Sequence, residues 1–144
     1  MSRWLWLLGL VLLSGCDRAA DQSAAADVDS SRTNALARGE LLSFACQACH
    51  SLQRDGPHLL GPNLYGIFGR TAGSAVGFSG YSVALRNSGV IWSPAELDRW
   101  LANPADFLPG TTMSFTGYQQ ADDRKALIEF LIAATGADGV AARD

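Results

Sequence analysis

Eight glycines fall between Gly56 and Gly89, and no apolar period of helix or strand runs through them. So long an irregular stretch cannot satisfy or bury its own backbone, and inside a compact domain it is expected only where it wraps a ligand. The rest of the chain is built to fold. Of its 144 residues 48% are hydrophobic and 17% charged, which suits one globular domain with a real core. Some other body must therefore complete the core where the loop cannot.

The segments flanking the loop read as helices, so the expected class is all-α: three main helices plus long loops. Residues from about Ala35 to Cys49 predict the first helix, interrupted by Gly39. Ser93-Pro94-Ala95-Glu96 is a helix start with a cap, a proline at the first position and a glutamate placed to close a capping box. Leu97, Trp100 and Leu101 follow at helical spacing, and Asn103-Pro104 ends the run. A last helix is expected from Ala121 to Gly136, with Asp122 and Asp123 at its positive end. Leu127, Phe130, Leu131 and Ala134 would form its buried face.

Cys46-Gln47-Ala48-Cys49-His50 supplies the missing body. C-x-x-C-H is the attachment signature of covalent haem c: two thiols a helical turn apart reach the two vinyl groups of one porphyrin, and the next imidazole meets the iron. A redox dithiol would call for a βαβ setting that the pattern lacks, and a zinc site for about four ligands where only His58 remains. Beyond the initiator, Met113 is the only methionine, in the turn-rich run Leu108-Pro109-Gly110-Thr111-Thr112-Met113. It is the expected second axial ligand, against the alternatives of a core methionine or of His58. His58 is expected instead to bridge two loops.

The N-terminus reads as an address. Arg3 precedes an apolar run from Trp4 to Leu13, about half of what spans a bilayer. The closing Leu13-Ser14-Gly15-Cys16 resembles a lipobox, so residues 1–15 are expected to be a lipoprotein signal peptide and Cys16 the lipidation site, with a plain signal peptide or an uncleaved short anchor as the alternatives. Residues 16–33, rich in Ala, Ser and Asp, are expected to be a flexible tether, with an extra helix as the alternative. Residues 34–136 would form the domain and 137–144 a disordered tail. The implied location is the periplasmic side of the bacterial inner membrane, since Asp17 resembles a retention signal there. Eleven cations against 14 acids give −3, which offers no cationic face for nucleic acid.

CQACH, GPNLYGIFGR, GFSGYS, NSGVIW and LANPADFLPGTTMSF together resemble class I cytochromes c, near the mitochondrial and cytochrome c2 type, over about Ala37 to Thr135. The resemblance implies crossed terminal helices that meet at Gly39 and Phe130, around one haem. It implies that Pro62 abuts His50, that Tyr81 and Trp92 bond a haem propionate, and that Arg70 lies near the propionates; each could instead be a packed aromatic or a solvated cation. It implies a monomeric one-electron carrier, not an enzyme, with a quinol-oxidising complex as donor and a terminal oxidase as acceptor. A peroxidase or ligand sensor in which Met113 leaves the iron is the alternative. Leu85 and Trp100 depart from the family's asparagine and tyrosine, Gly80 is inserted, and the lysine ring around the haem edge is missing.

Overall fold

The computed structural model describes residues 17–136, with side chains from Val28 onward. Residues 1–16, expected to hold a signal peptide and the lipidated Cys16, and residues 137–144, expected to be a tail, lie outside the described residues. Five helices follow in order: α1 (Asp17–Gln47), α2 (Val83–Asn87), α3 (Pro94–Ala102), α4 (Pro104–Phe107) and α5 (Ala121–Thr135). Among the described residues the only β pairing is one antiparallel bridge, Thr71 to Ile91, so the molecule is all-α as expected. The chain divides into two units, Met1–Arg32 and Thr33–Asp144. Among the described residues no helix is long and apolar enough to cross a membrane.

Residues 17–33, expected to be an irregular tether, are helical as part of α1. Five alanines within 17–33, and the absence of any Gly or Pro from 16 to 38, favour the helix locally. The stretch from Val28 to Asn34 is exposed, so propensity and not burial sets its conformation. The helix ends at Gln47, two residues before the expected Cys49.

In the second unit, α1 meets α5 where Gly39 faces Ala126. A Cβ on Gly39 would stand 2.1 Å from the Ala126 carbonyl oxygen and 2.7 Å from the Phe130 Cβ, so glycine alone fits the crossing. Arg38 pairs with Asp123 beside the same point. On α5, Leu127 and Leu131 are buried as expected, while Phe130 and Ala134 are only partly so; Ala126, Ile128 and Thr135 take up the rest of the face. Burying Leu127 alone contributes on the order of 2 kcal/mol.

Helix α3 starts as read: Ser93 accepts a hydrogen bond from the Glu96 N–H at 3.1 Å, and Pro94 occupies the first turn. Glu96 does not complete a capping box, because its carboxylate pairs with Arg99 at 3.2 Å instead. Leu97, Trp100 and Leu101 point into the core, where α3 packs on α5 and α4. Trp92, Trp100 and Phe107 form a cluster, with Trp92 and Trp100 edge to face at 5.4 Å. Neither α2 nor α4 shows in the sequence pattern; both are too short to carry a period. Asn103 does more than stop α3, because its side-chain oxygen caps α4 through the N–H groups of Ala105 and Asp106.

Candidate haem site

The core is open on one side. A cavity of about 320 Å³ is walled by the end of α1, the glycine-rich loop, α3 and the segment after α4. The last turn of α1 tightens as it ends: the N–H groups of Cys49 and His50 both donate to the Cys46 carbonyl, at 3.0 and 2.9 Å. That turn brings Cys46, Cys49 and His50 to the cavity, with both thiols free. Burial pushes the Cys46 thiol up to about 11, so it stays protonated near neutrality.

His50 is held from behind. Its Nδ1 donates to the Pro62 carbonyl at 2.6 Å, which fixes the tautomer and leaves Nε2 without a protein partner among the described residues. Gly61, whose N–H bonds the Cys49 carbonyl at 2.8 Å, lies so close to the ring that an added Cβ would sit 2.2 Å from Cε1. Burial lowers the pKa of His50, with the Pro62 carbonyl opposing, so the imidazole is neutral and able to bind a metal at pH 7. Pro62 thus acts through its carbonyl oxygen, which motif reading places only by resemblance.

Arg70 and Trp92 share one wall because their segments pair. The Trp92 N–H donates to the Arg70 carbonyl at 3.0 Å and the Ala72 N–H to the Val90 carbonyl at 2.8 Å, on either side of the Thr71–Ile91 bridge, and the Gly69 N–H donates to the Trp92 carbonyl at 2.8 Å. The Arg70 guanidinium reaches the Tyr65 and Asn63 carbonyls at 3.1 and 3.0 Å. Desolvation lowers its pKa and nearby Tyr81 opposes that shift. The Tyr81 hydroxyl accepts from the Ala75 N–H at 3.2 Å and keeps its own proton to donate. Trp92 is 7% exposed, and its indole N–H meets no acceptor among the described residues. Trp92 itself lines the cavity.

Met113 lines the cavity from the loop after α4, beside Thr112, Ser114 and Phe115. His58 is not in the lining. It bridges two loops, Nδ1 accepting from the Asn63 N–H and Nε2 donating to the Val76 carbonyl, both at 2.9 Å. Residues that motif reading missed include Gly61, signalled only by the Gly61-Pro62 pair, and Leu60, which stands 83% exposed at the cavity. Asn63 was also missed; its amide ties the Gln53 and Gly56 carbonyls together, and no local signal announces it.

A haem fits these residues. Two free thiols sit together at a helix end, an imidazole presents an unpartnered Nε2, a thioether lines the same space, and the walls are Leu64, Leu97, Trp100, Leu101 and Leu131. A cytochrome c from Chlamydomonas reinhardtii is 42% identical over 101 residues, covering 69% of this chain and 89% of that protein. The chain belongs to the cytochrome c family. A cytochrome c from Trypanosoma brucei brucei is 50% identical over 78 residues, 54% of this chain and 83% of its own. A cytochrome c homolog from Bradyrhizobium diazoefficiens is 34% identical over 100 residues, covering 69% of this chain and 54% of that longer protein. No protein-family model matches the chain. As a cytochrome c the chain is an electron carrier and not an enzyme; it holds one covalent haem c with its iron and exchanges electrons with redox partner proteins.

Proposed function

We propose that this cytochrome works as a lipid-anchored carrier on the periplasmic side of the inner membrane, taking electrons from a quinol-oxidising complex and passing them to a terminal oxidase. Cys46 and Cys49 would attach the haem covalently, and His50 and Met113 would hold its iron. The observation that carries this reading is the meeting of His50 and Met113, 63 positions apart in the sequence, in the lining of one cavity. When bound, the haem supplies the one-electron Fe(III)/Fe(II) couple, and a thioether ligand raises its potential by favouring the ferrous state.

Each remaining role belongs to the protein. Pro62 and Gly61 hold the imidazole in one orientation, which limits rearrangement when the charge changes. Arg70, Tyr81 and Trp92 supply donors along one wall, a fit for the two propionates. The apolar wall excludes water and disfavours the extra ferric charge. Anchoring is supported by the apolar run that ends at Leu13-Ser14-Gly15-Cys16, because lipidation at that cysteine would confine the domain near its partners.

The test is an optical spectrum of the membrane fraction, oxidised and reduced, for wild type and Met113→Ala. The expected result is a haem c spectrum that sediments with membranes, and a ferric methionine–iron charge-transfer band that Met113→Ala abolishes. A band that survives the substitution overturns the ligand assignment, and haem found wholly in the soluble fraction overturns the anchor.

A further inference from the structure

Between α4 and α5 the chain runs without helix or strand from about Leu108 to Gln120, and Met113 lies near its middle. Among the described residues, the hydrogen bonds of residues 109–116 are all local. The Thr111 N–H donates to the Leu108 carbonyl at 3.1 Å, the Met113 N–H to Thr111 Oγ1 at 3.3 Å, and the Phe115 N–H to the Met113 carbonyl at 3.1 Å. The first ties to other parts of the fold come at Tyr118. Its N–H donates to the Leu101 carbonyl of α3 at 2.8 Å, and its own carbonyl accepts from Arg124 of α5 at 2.9 Å. Arg124 is fixed in turn by Asp98 at 2.8 Å.

The side chain makes a third tie. The Tyr118 hydroxyl donates to the Leu42 carbonyl of α1 at 2.8 Å, across 76 positions of sequence. Leu42 lies one helical turn before Cys46, so its carbonyl also serves the Cys46 amide in the helix. The same ring packs edge-on against Phe115 at 5.2 Å, and Phe115 lines the cavity next to Met113. One residue therefore joins the methionine loop to α1, the helix that carries Cys46.

We propose that Tyr118 is a positioning residue whose hydroxyl, seated on the Leu42 carbonyl, latches the Met113 loop shut and resists displacement of the thioether by outside ligands. The proposal rests on the reading of Met113 as an axial ligand. Opening the loop far enough to release Met113 strains or breaks the Tyr118–Leu42 bond. Removing that bond leaves Leu42 with its helical partner, so Tyr118→Phe creates no orphaned group and keeps the ring against Phe115.

The experiment titrates the ferric holoprotein with imidazole and follows loss of the methionine–iron charge-transfer band. In Tyr118→Phe the imidazole affinity is expected to rise about fivefold, the factor that a hydrogen bond of ordinary net strength carries. Thr135→Val is the control, because it deletes a 2.7 Å bond to the Leu131 carbonyl on α5 while Thr135 itself does not line the cavity. It should lower the unfolding temperature and leave imidazole affinity unchanged. Wild-type affinity in Tyr118→Phe, or an equal rise in Thr135→Val, overturns the latch while the ligand assignment stands. A charge-transfer band that persists in Met113→Ala instead removes the ligand assignment, and the latch falls with it.

Discussion

The site depends on contacts tighter than any side chain tolerates. Gly61 is the sharpest case, because its missing Cβ is what lets the loop press on the His50 ring. Gly61→Ala must move either the ring or the loop. The expected cost is about 1–3 kcal/mol of overpacking, together with a rotated imidazole. Thermal unfolding of the holoprotein and the ferric electron paramagnetic resonance spectrum check both parts; a variant matching wild type in each would show that the contact is not tight in solution. Residue chemistry of this kind is half legible. C-x-x-C-H and the lone Met113 stand out because the elements of their chemistry lie in neighbouring positions or in sheer scarcity. Gly61 does not, since a glycine at a turn and a glycine under an imidazole look alike in sequence.

Elements here are held by side chains more than by their own periodicity. The glycine-rich loop keeps its shape through braces, and His58 is the central one, joining the Asn63 N–H to the Val76 carbonyl while its ring leans on Phe78 at 5.5 Å. His58→Ala deletes both bonds and leaves the Val76 carbonyl to water, so it should destabilise by about 1–2 kcal/mol. Because His58 is outside the cavity lining, the ferric and ferrous spectra should be unchanged while the unfolding temperature falls. Loss of the methionine–iron band in this variant would mean that the brace also governs ligation. The bridging role of His58 could be read beforehand from its place in a loop, but its partners could not. The starts of α3 and α5 were legible because caps and charges act locally; of the two readings open for residues 17–33, tether and helix, the structure takes the helix that its alanines favour.

Over the whole molecule, charge is the telling quantity. Residues 34–136 carry seven cations and eight acids, so the domain has almost no net field. Leu60 and Val76, 83% and 95% exposed, replace charge with apolar surface on the two loops that His58 bridges. Long-range steering should be weak. The second-order rate of electron transfer to a soluble redox partner should change by less than about twofold as ionic strength rises from ~0.01 to ~0.15 M, over which the screening length falls from about 30 to 8 Å. Stopped-flow oxidation of the ferrous protein measures this, and a steep fall with salt would reveal a charged docking face.

What the sequence by itself determined is local: the cysteine pair and its histidine, the one methionine beyond the initiator, the capped starts of helices, and a loop too rich in glycine to fold without a guest. Those features are set by groups a few positions apart, or by the absence of any rival. Only the tertiary structure decided that Gly61 presses on His50 and that Tyr118 reaches Leu42. Each of these joins distant stretches of chain across a few ångströms, and such a distance exists only once the loops have closed.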